Sequence, residues 1–341
     1  MKFNFKQFLI FPILLISGQV VNTQPTSELN GIVELAFEIG SIESIMIEKD
    51  GEVIAQQFTG RMNPNRTTNI KSASKSILSL LVGIAIEEGY LEGLDQPIGD
   101  FFEDYFEENP DPEKEAITVG DLITMRGGLE TTSFRNYGRW VASSNWTEFV
   151  LNSEMAEEPG GRMIYSTGSS HLLSVILTRA TGMTTREFGN RYLFGPMDIN
   201  LGGWDRDPQG YYFGGNNMAM SPADMLKIGR MMMDLGKWQG EQIVPKEWIL
   251  DSVKIYTRSN FNPYDMGYLW WRRPVNGYDT IFAWGHGGQY IMMFPELDVV
   301  MAITSNLARV QGRRHQRDLF RYLEDELIPA LSYSQSSPQR R

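Results

Sequence analysis

The longest apolar run behind the N-terminal leader is Ser72-Ala-Ser-Lys-Ser-Ile-Leu-Ser-Leu-Leu-Val-Gly-Ile-Ala-Ile-Glu-Glu-Gly89, a helical pattern closed by glycine. Upstream, Ser27 is placed to cap a short helix carrying Leu29, Ile32, Val33, Ala36 and Phe37. Residues 44–48 and 53–58 flank Lys49-Asp50-Gly51 and read as a β-hairpin. From 90 to about 215, helical patterns alternate with Gly- and Pro-rich loops; one is Leu172–Leu177, stopped by Gly182. Met225, Leu226, Ile228 and Met231–Met233 then form an amphipathic helix. Strands are expected at 268–272, 279–284, 290–294 and 299–304, with a turn at 295–298. A last helix, 313–331, lines up Leu319, Leu323, Leu327 and Leu331.

Strands at both ends with helices between them imply an α/β (α+β) fold. One antiparallel sheet is built from both chain ends, flanked by helices, with a mainly helical region inserted. The expected sheet part is 27–89 plus 216–331, the insertion is 90–215, and 332–341 is a polar tail. The cleft between the two parts is the natural place for a site.

Composition narrows the function classes. The 341 residues are 42% hydrophobic and 21% charged, enough apolar material for a large core. A net charge of -11 argues against a nucleic-acid surface. The absence of cysteine excludes disulfides, thiol nucleophiles and thiolate metal sites. Lys2 and Lys6 ahead of the short apolar stretch Phe8–Ile16, with small residues Ser17 and Gly18 after it, read as a secretory signal over residues 1–18. That implies a secreted or periplasmic protein, and no later segment reaches transmembrane length. The acidic stretch Asp100–Glu115 reads as a solvated loop, and Arg309, Arg313, Arg314, Arg317 and Arg321 as exposed helix surface.

Candidate chemistry centres on Ser72 and Lys75. Residues three apart share one helix face, so the amine can reach back to the hydroxyl. A helix start also offers unpaired amides and a positive dipole end to a developing oxyanion. The three histidines, His171, His286 and His315, accompany no Gly-x-Ser-x-Gly elbow and no His-Glu-x-x-His run. A Ser-His-Asp or zinc hydrolase therefore lacks support, no metal or cofactor is implied, and Lys75 and a tyrosine are the better base candidates.

Three elements in order resemble the β-lactamase-related serine hydrolases. They are Ser72-x-x-Lys75, Tyr165-Ser166-Thr167 ahead of Gly168, and Trp284-Gly-His-Gly-Gly-Gln289. The segments 117–129, 192–199 and 214–225 are similar too, so the resemblance covers roughly residues 30–331. Within the family the chain looks most similar to the branch of esterases and 6-aminohexanoate-dimer hydrolases.

The resemblance implies a β-lactamase-like fold and a Ser72 acyl-enzyme, with Lys75 and Tyr165 as general base and acid. Either a neutral Lys75 takes the Ser72 proton, or a charged Lys75 lets a Tyr165 phenolate do so; Tyr165 is the expected acid for the leaving group. The oxyanion hole would be the backbone amides of Ser72 and Gln289. Thr167, His286 and Gly288 would line the substrate site, with Tyr137 and Trp140 as aromatic candidates.

Two departures from the family pattern matter. Thr167 replaces the amide of Tyr-x-Asn, and His286 replaces the lysine of Lys-Thr-Gly. Both favour a small ester or amide substrate over a β-lactam. The alternatives are a penicillin-binding D-amino-acid peptidase or β-lactamase, and a non-catalytic scaffold of the same fold.

Overall fold

Residues 27–310 and 313–333 are described in a computed structural model of the chain. The expected signal, 1–18, and all but the start of the expected tail lie outside them. Eight strands form one antiparallel sheet: β1 (Ile42–Lys49), β2 (Glu52–Phe58), β3 (Thr257–Arg258), β4 (Asp265–Met266), β5 (Trp271–Val275), β6 (Tyr278–Gly285), β7 (Gln289–Phe294) and β8 (Val299–Ser305). Their order is β2-β1-β8-β7-β6-β5-β4-β3, so the first hairpin joins the last strand, with Ile45 opposite Ile303. The sheet is thus made from both chain ends, as the pattern predicts.

The expected strand at 268–272 starts late. Leu269 takes a left-handed φ of 61°, so the pleat cannot begin before Trp271. Every residue of β7 and β8 is buried, which explains why these strands read as continuous apolar runs rather than alternations.

Helices cover both faces. Helix α1 (Ser27–Leu35) packs near β2, and the C-terminal helix α5 (Arg313–Tyr322) lays Phe320 against Phe282 and Tyr290. The chain continues through one π turn, Leu323–Leu327, into Ile328–Tyr333, and Leu319, Leu323, Leu327 and Leu331 are all buried. On the other face lie α2 (Ser74–Glu87) and α4 (Pro222–Met233), with α3 (Thr167–Thr181) packed on α2. Helix α2 is buried from Ser74 to Ala85, which its nearly unbroken apolar sequence requires.

Candidate active site

Ser72 does not open the long helix but sits one turn earlier, in a 3₁₀ turn over Lys71–Ala73 that runs directly into α2. The approach is fixed on two sides. Thr68–Asn69 pairs with Ala219–Met220, and the Ile70 amide donates to the Met218 carbonyl at 2.9 Å. The end of β6 abuts the same stretch. A Cβ on Gly285 would stand 2.0 Å from the Ile70 carbonyl oxygen, so only glycine lets the strand come this close. Lys71 itself is left-handed, with φ 52°.

Lys75 is buried within this assembly. Its Nζ lies 3.3 Å from Ser72 Oγ, 3.2 Å from Thr167 Oγ1 and 2.6 Å from the Gly215 carbonyl oxygen. No carboxylate offsets the burial, and desolvation of the ammonium lowers its pKa from 10.5 to about 7. A neutral amine has two N–H groups and one lone pair. The carbonyl and the threonine hydroxyl can take the two hydrogens, which leaves the lone pair for the Ser72 O–H.

Tyr165 converges on the same hydroxyl. Burial pushes its phenol up to about 12, partly offset by its hydrogen bond with Ser72. The Lys75 Nζ stands 5.3 Å from its ring centroid. The backbone around it is clamped by a run of hydroxyls: Thr131 Oγ1 donates to the Tyr165 carbonyl at 2.7 Å, and Thr132 and Ser133 accept from the Gly168 and Thr167 amides at 2.7 and 2.9 Å. Ser166 caps α3 through the Ser169 amide. Ser133 Oγ is also 2.9 Å from Thr167 Oγ1, so Thr167 joins the lysine cradle.

These groups face a cavity of about 450 Å³, lined by Lys71, Ser72, Tyr137, Tyr165, Thr167 and His286 among others. Phe134, Phe261 and Trp284 form its apolar wall and also line an adjoining cleft of about 840 Å³ that reaches Arg273, Arg317 and Arg321. Two members of the arginine cluster read as plain helix surface thus stand at that cleft.

The placement of two expected site residues differs. Trp140 is fully buried away from the cavity, with its indole N–H donating to the Trp146 carbonyl at 3.1 Å and its ring against Trp146, His171 and Phe213. Its neighbour Tyr137 takes the cavity position instead, its hydroxyl accepting from Asn216 Nδ2 at 2.9 Å. Gly288 lines the larger adjoining cleft and not the Ser72 cavity, and its N–H closes the tight Gly285–Gly288 turn on the Gly285 carbonyl at 3.2 Å. Gln289 lies on β7 opposite Gly285, and its side chain is spent on the Ser305 backbone at 2.8 and 3.3 Å. His286 is the turn residue that lines the Ser72 cavity.

Four contributors escaped the sequence reading: Lys71, Ser133, Gly215 and Asn216. Gly215 and Asn216 belong to the Gly214-Gly-Asn-Asn217 run. Its geometry is held by His171, whose Nδ1 accepts from the Gly214 amide at 3.2 Å while Nε2 lies 3.0 Å from Asp207.

A buried lysine between a part-buried serine and tyrosine, on an antiparallel sheet closed by both chain ends, defines a β-lactamase-like architecture. The chain belongs to the Beta-lactamase family, whose family model matches residues 43–324. It is similar to the 6-aminohexanoate-dimer hydrolase of Paenarthrobacter ureafaciens, at 22% identity over 240 residues, 64% of this chain and 58% of that enzyme. The match therefore spans less than two thirds of that relative's length. Among solved structures, a suspected 6-aminohexanoate-dimer hydrolase of Bacillus anthracis superposes with a TM-score of 0.75 at 15% identity, covering 90% of this chain and 83% of that one. A penicillin-binding protein homologue of Caulobacter crescentus gives 0.69 at 17% identity, covering 90% and 98%.

Proposed function

We propose that the protein is a serine hydrolase that cleaves an ester or amide through a Ser72 acyl-enzyme. The observation that carries this reading is the buried Lys75 amine, without a carboxylate partner, 3.3 Å from Ser72 Oγ. With its pKa near 7, the amine is in large part neutral at neutral pH and accepts the serine proton as Oγ attacks the carbonyl carbon. Of the two routes left open by the sequence, the lysine route is favoured, because burial raises the Tyr165 phenol to about 12 and so disfavours a phenolate.

The negative charge that develops on the carbonyl oxygen is met by the Ser72 amide and by an amide of the Gly285–Gly288 turn. His286 lines the cavity and supports this reading, with the Gln289 amide at the start of β7 as the alternative donor. Tyr165 hands its proton to the departing oxygen or nitrogen and recovers one from the Lys75 ammonium. Attack of water on the acyl-enzyme runs the same transfers in reverse. The substrate is read as a small ester or amide, in line with the activity named for the Paenarthrobacter relative. The signal-like pattern of residues 1–18 supports a secreted or periplasmic site of action.

A fluorophosphonate probe with a substrate panel tests the reading. Labelling is expected on wild type, absent in Ser72→Ala and sharply reduced in Lys75→Ala. Turnover should rank p-nitrophenyl esters above short amides, D-peptides and a chromogenic cephalosporin. Folded protein without labelling would mean a scaffold, and faster cephalosporin hydrolysis would mean a β-lactamase.

A further inference from the structure

His286 leaves the third motif without its fixed cation, yet the cavity is not without one. Lys71, immediately before the nucleophile, is the one Lys or Arg among the described residues lining it, and no Asp or Glu lines it. Its backbone is locked in the left-handed region by the Asn69 side chain, whose Oδ1 accepts the Lys71 amide at 2.9 Å. Its ammonium donates to Asn217 Oδ1 at 3.2 Å, an oxygen that also accepts from Asn69 Nδ2 at 3.0 Å. The amide of Asn217 is oriented by its other end, where Nδ2 donates to Asp205 at 2.8 Å. Burial lowers the Lys71 pKa and Asp205 partly offsets this by favouring the charge, but Asp205 closes no ion pair with Lys71, being engaged by Asn217.

The ammonium thus has one protein acceptor among the described residues, and two N–H groups remain for a ligand. A half-buried cation with unfilled donors gains most from an anion with matching oxygens. Asn216 and Tyr137 add polar atoms to the cavity, and Phe134, Phe261 and Trp284 offer an apolar surface.

We propose that Lys71 is a specificity-determining residue that holds a carboxylate of the substrate, so that the preferred ester or amide carries a free acid group. This rests on the hydrolase reading above. The cation lost from the third motif is thereby supplied from the other side of the nucleophile.

Two matched substrate pairs test it. p-Nitrophenyl hydrogen glutarate against p-nitrophenyl butyrate puts the carboxylate in the acyl part; 4-butyryloxybenzoate against phenyl butyrate puts it in the leaving group. In at least one pair the anion should have the higher kcat/KM, expressed mainly in KM. Lys71→Gln should lower that ratio about tenfold, and Lys71→Arg should keep it. A ratio that Lys71→Gln does not move, with both members falling together, overturns the proposal and reduces Lys71 to a support of the Ser72 turn. If folded wild type neither turns over nor labels with fluorophosphonate, the hydrolase reading fails separately. Binding of monomethyl glutarate against dimethyl glutarate, followed by NMR shifts, then decides the role of Lys71. A preference for the monoanion that Lys71→Gln abolishes upholds it, and equal binding overturns it.

Discussion

The Gly215 carbonyl oxygen lies 2.6 Å from Lys75 Nζ, and a Cβ on Gly215 would stand 2.4 Å from Lys75 Cγ. The glycine is left-handed, with φ 84°, so it supplies both the acceptor and the space that the lysine needs. Gly215→Ala should therefore cost roughly 1–3 kcal/mol of stability and displace the amine. A displacement near 1 Å is worth about 100-fold in kcat/KM. Steady-state kinetics beside a urea melt separate the two effects; full activity in the alanine variant would contradict the cradle.

Lys75 also sets a pH dependence. As the base it must be neutral, so kcat/KM should rise as pH passes through about 7 and then level off. Stability follows the same group. Its folded pKa is below the unfolded 10.5, so between about 7 and 10.5 the unfolded chain binds more protons and stability grows with pH. Below about 7 the penalty of a charged buried amine is present in full, roughly 4–5 kcal/mol. Lys75→Met should abolish turnover and flatten the rise in urea midpoint over that window; an unchanged rise would assign it to other groups.

Tyr165→Phe separates leaving groups. p-Nitrophenolate departs without a proton, whereas an amine does not. The variant should lose about 100- to 1,000-fold on amides and clearly less on p-nitrophenyl esters. Equal losses on both would remove Tyr165 from the role of acid.

Trp140 offers the opposite control. Its ring is part of a buried aromatic cluster, with centroids 5.1 Å from Trp146 and 5.5 Å from Phe213. Trp140→Ala should cost about 3–5 kcal/mol, seen as a lower thermal midpoint. The ranking of substrates at a temperature where the variant is folded should stay as in wild type; a changed ranking would return Trp140 to the cavity.

Sequence reading reached the site unevenly, for physical reasons. Ser72, Lys75 and Tyr165 were legible because local spacing and flanking helix signals report on them. The strands β6 to β8 were legible because buried strands read as apolar runs. Trp140 and Tyr137 lie three residues apart, and no pattern says which ring enters the cavity; tertiary packing of Trp146, His171 and Phe213 decides it. Gly288 was not separable from His286 by sequence, because the Gly285–Gly288 turn that sends the two to different parts of the cleft is closed by a backbone hydrogen bond. Lys71 and Gly215 were invisible because their roles depend on backbone φ and on partners more than 100 residues away.

The pairing of Ile45 with Ile303 has a temporal consequence. A chain emerging from the ribosome carries its first hairpin for about 240 residues before the neighbouring strand exists, so the sheet closes only once residues 299–305 have been made. A fragment truncated before that strand keeps its serine but leaves β1 and β7 without the strand that joins them, so the sheet behind the site stays open.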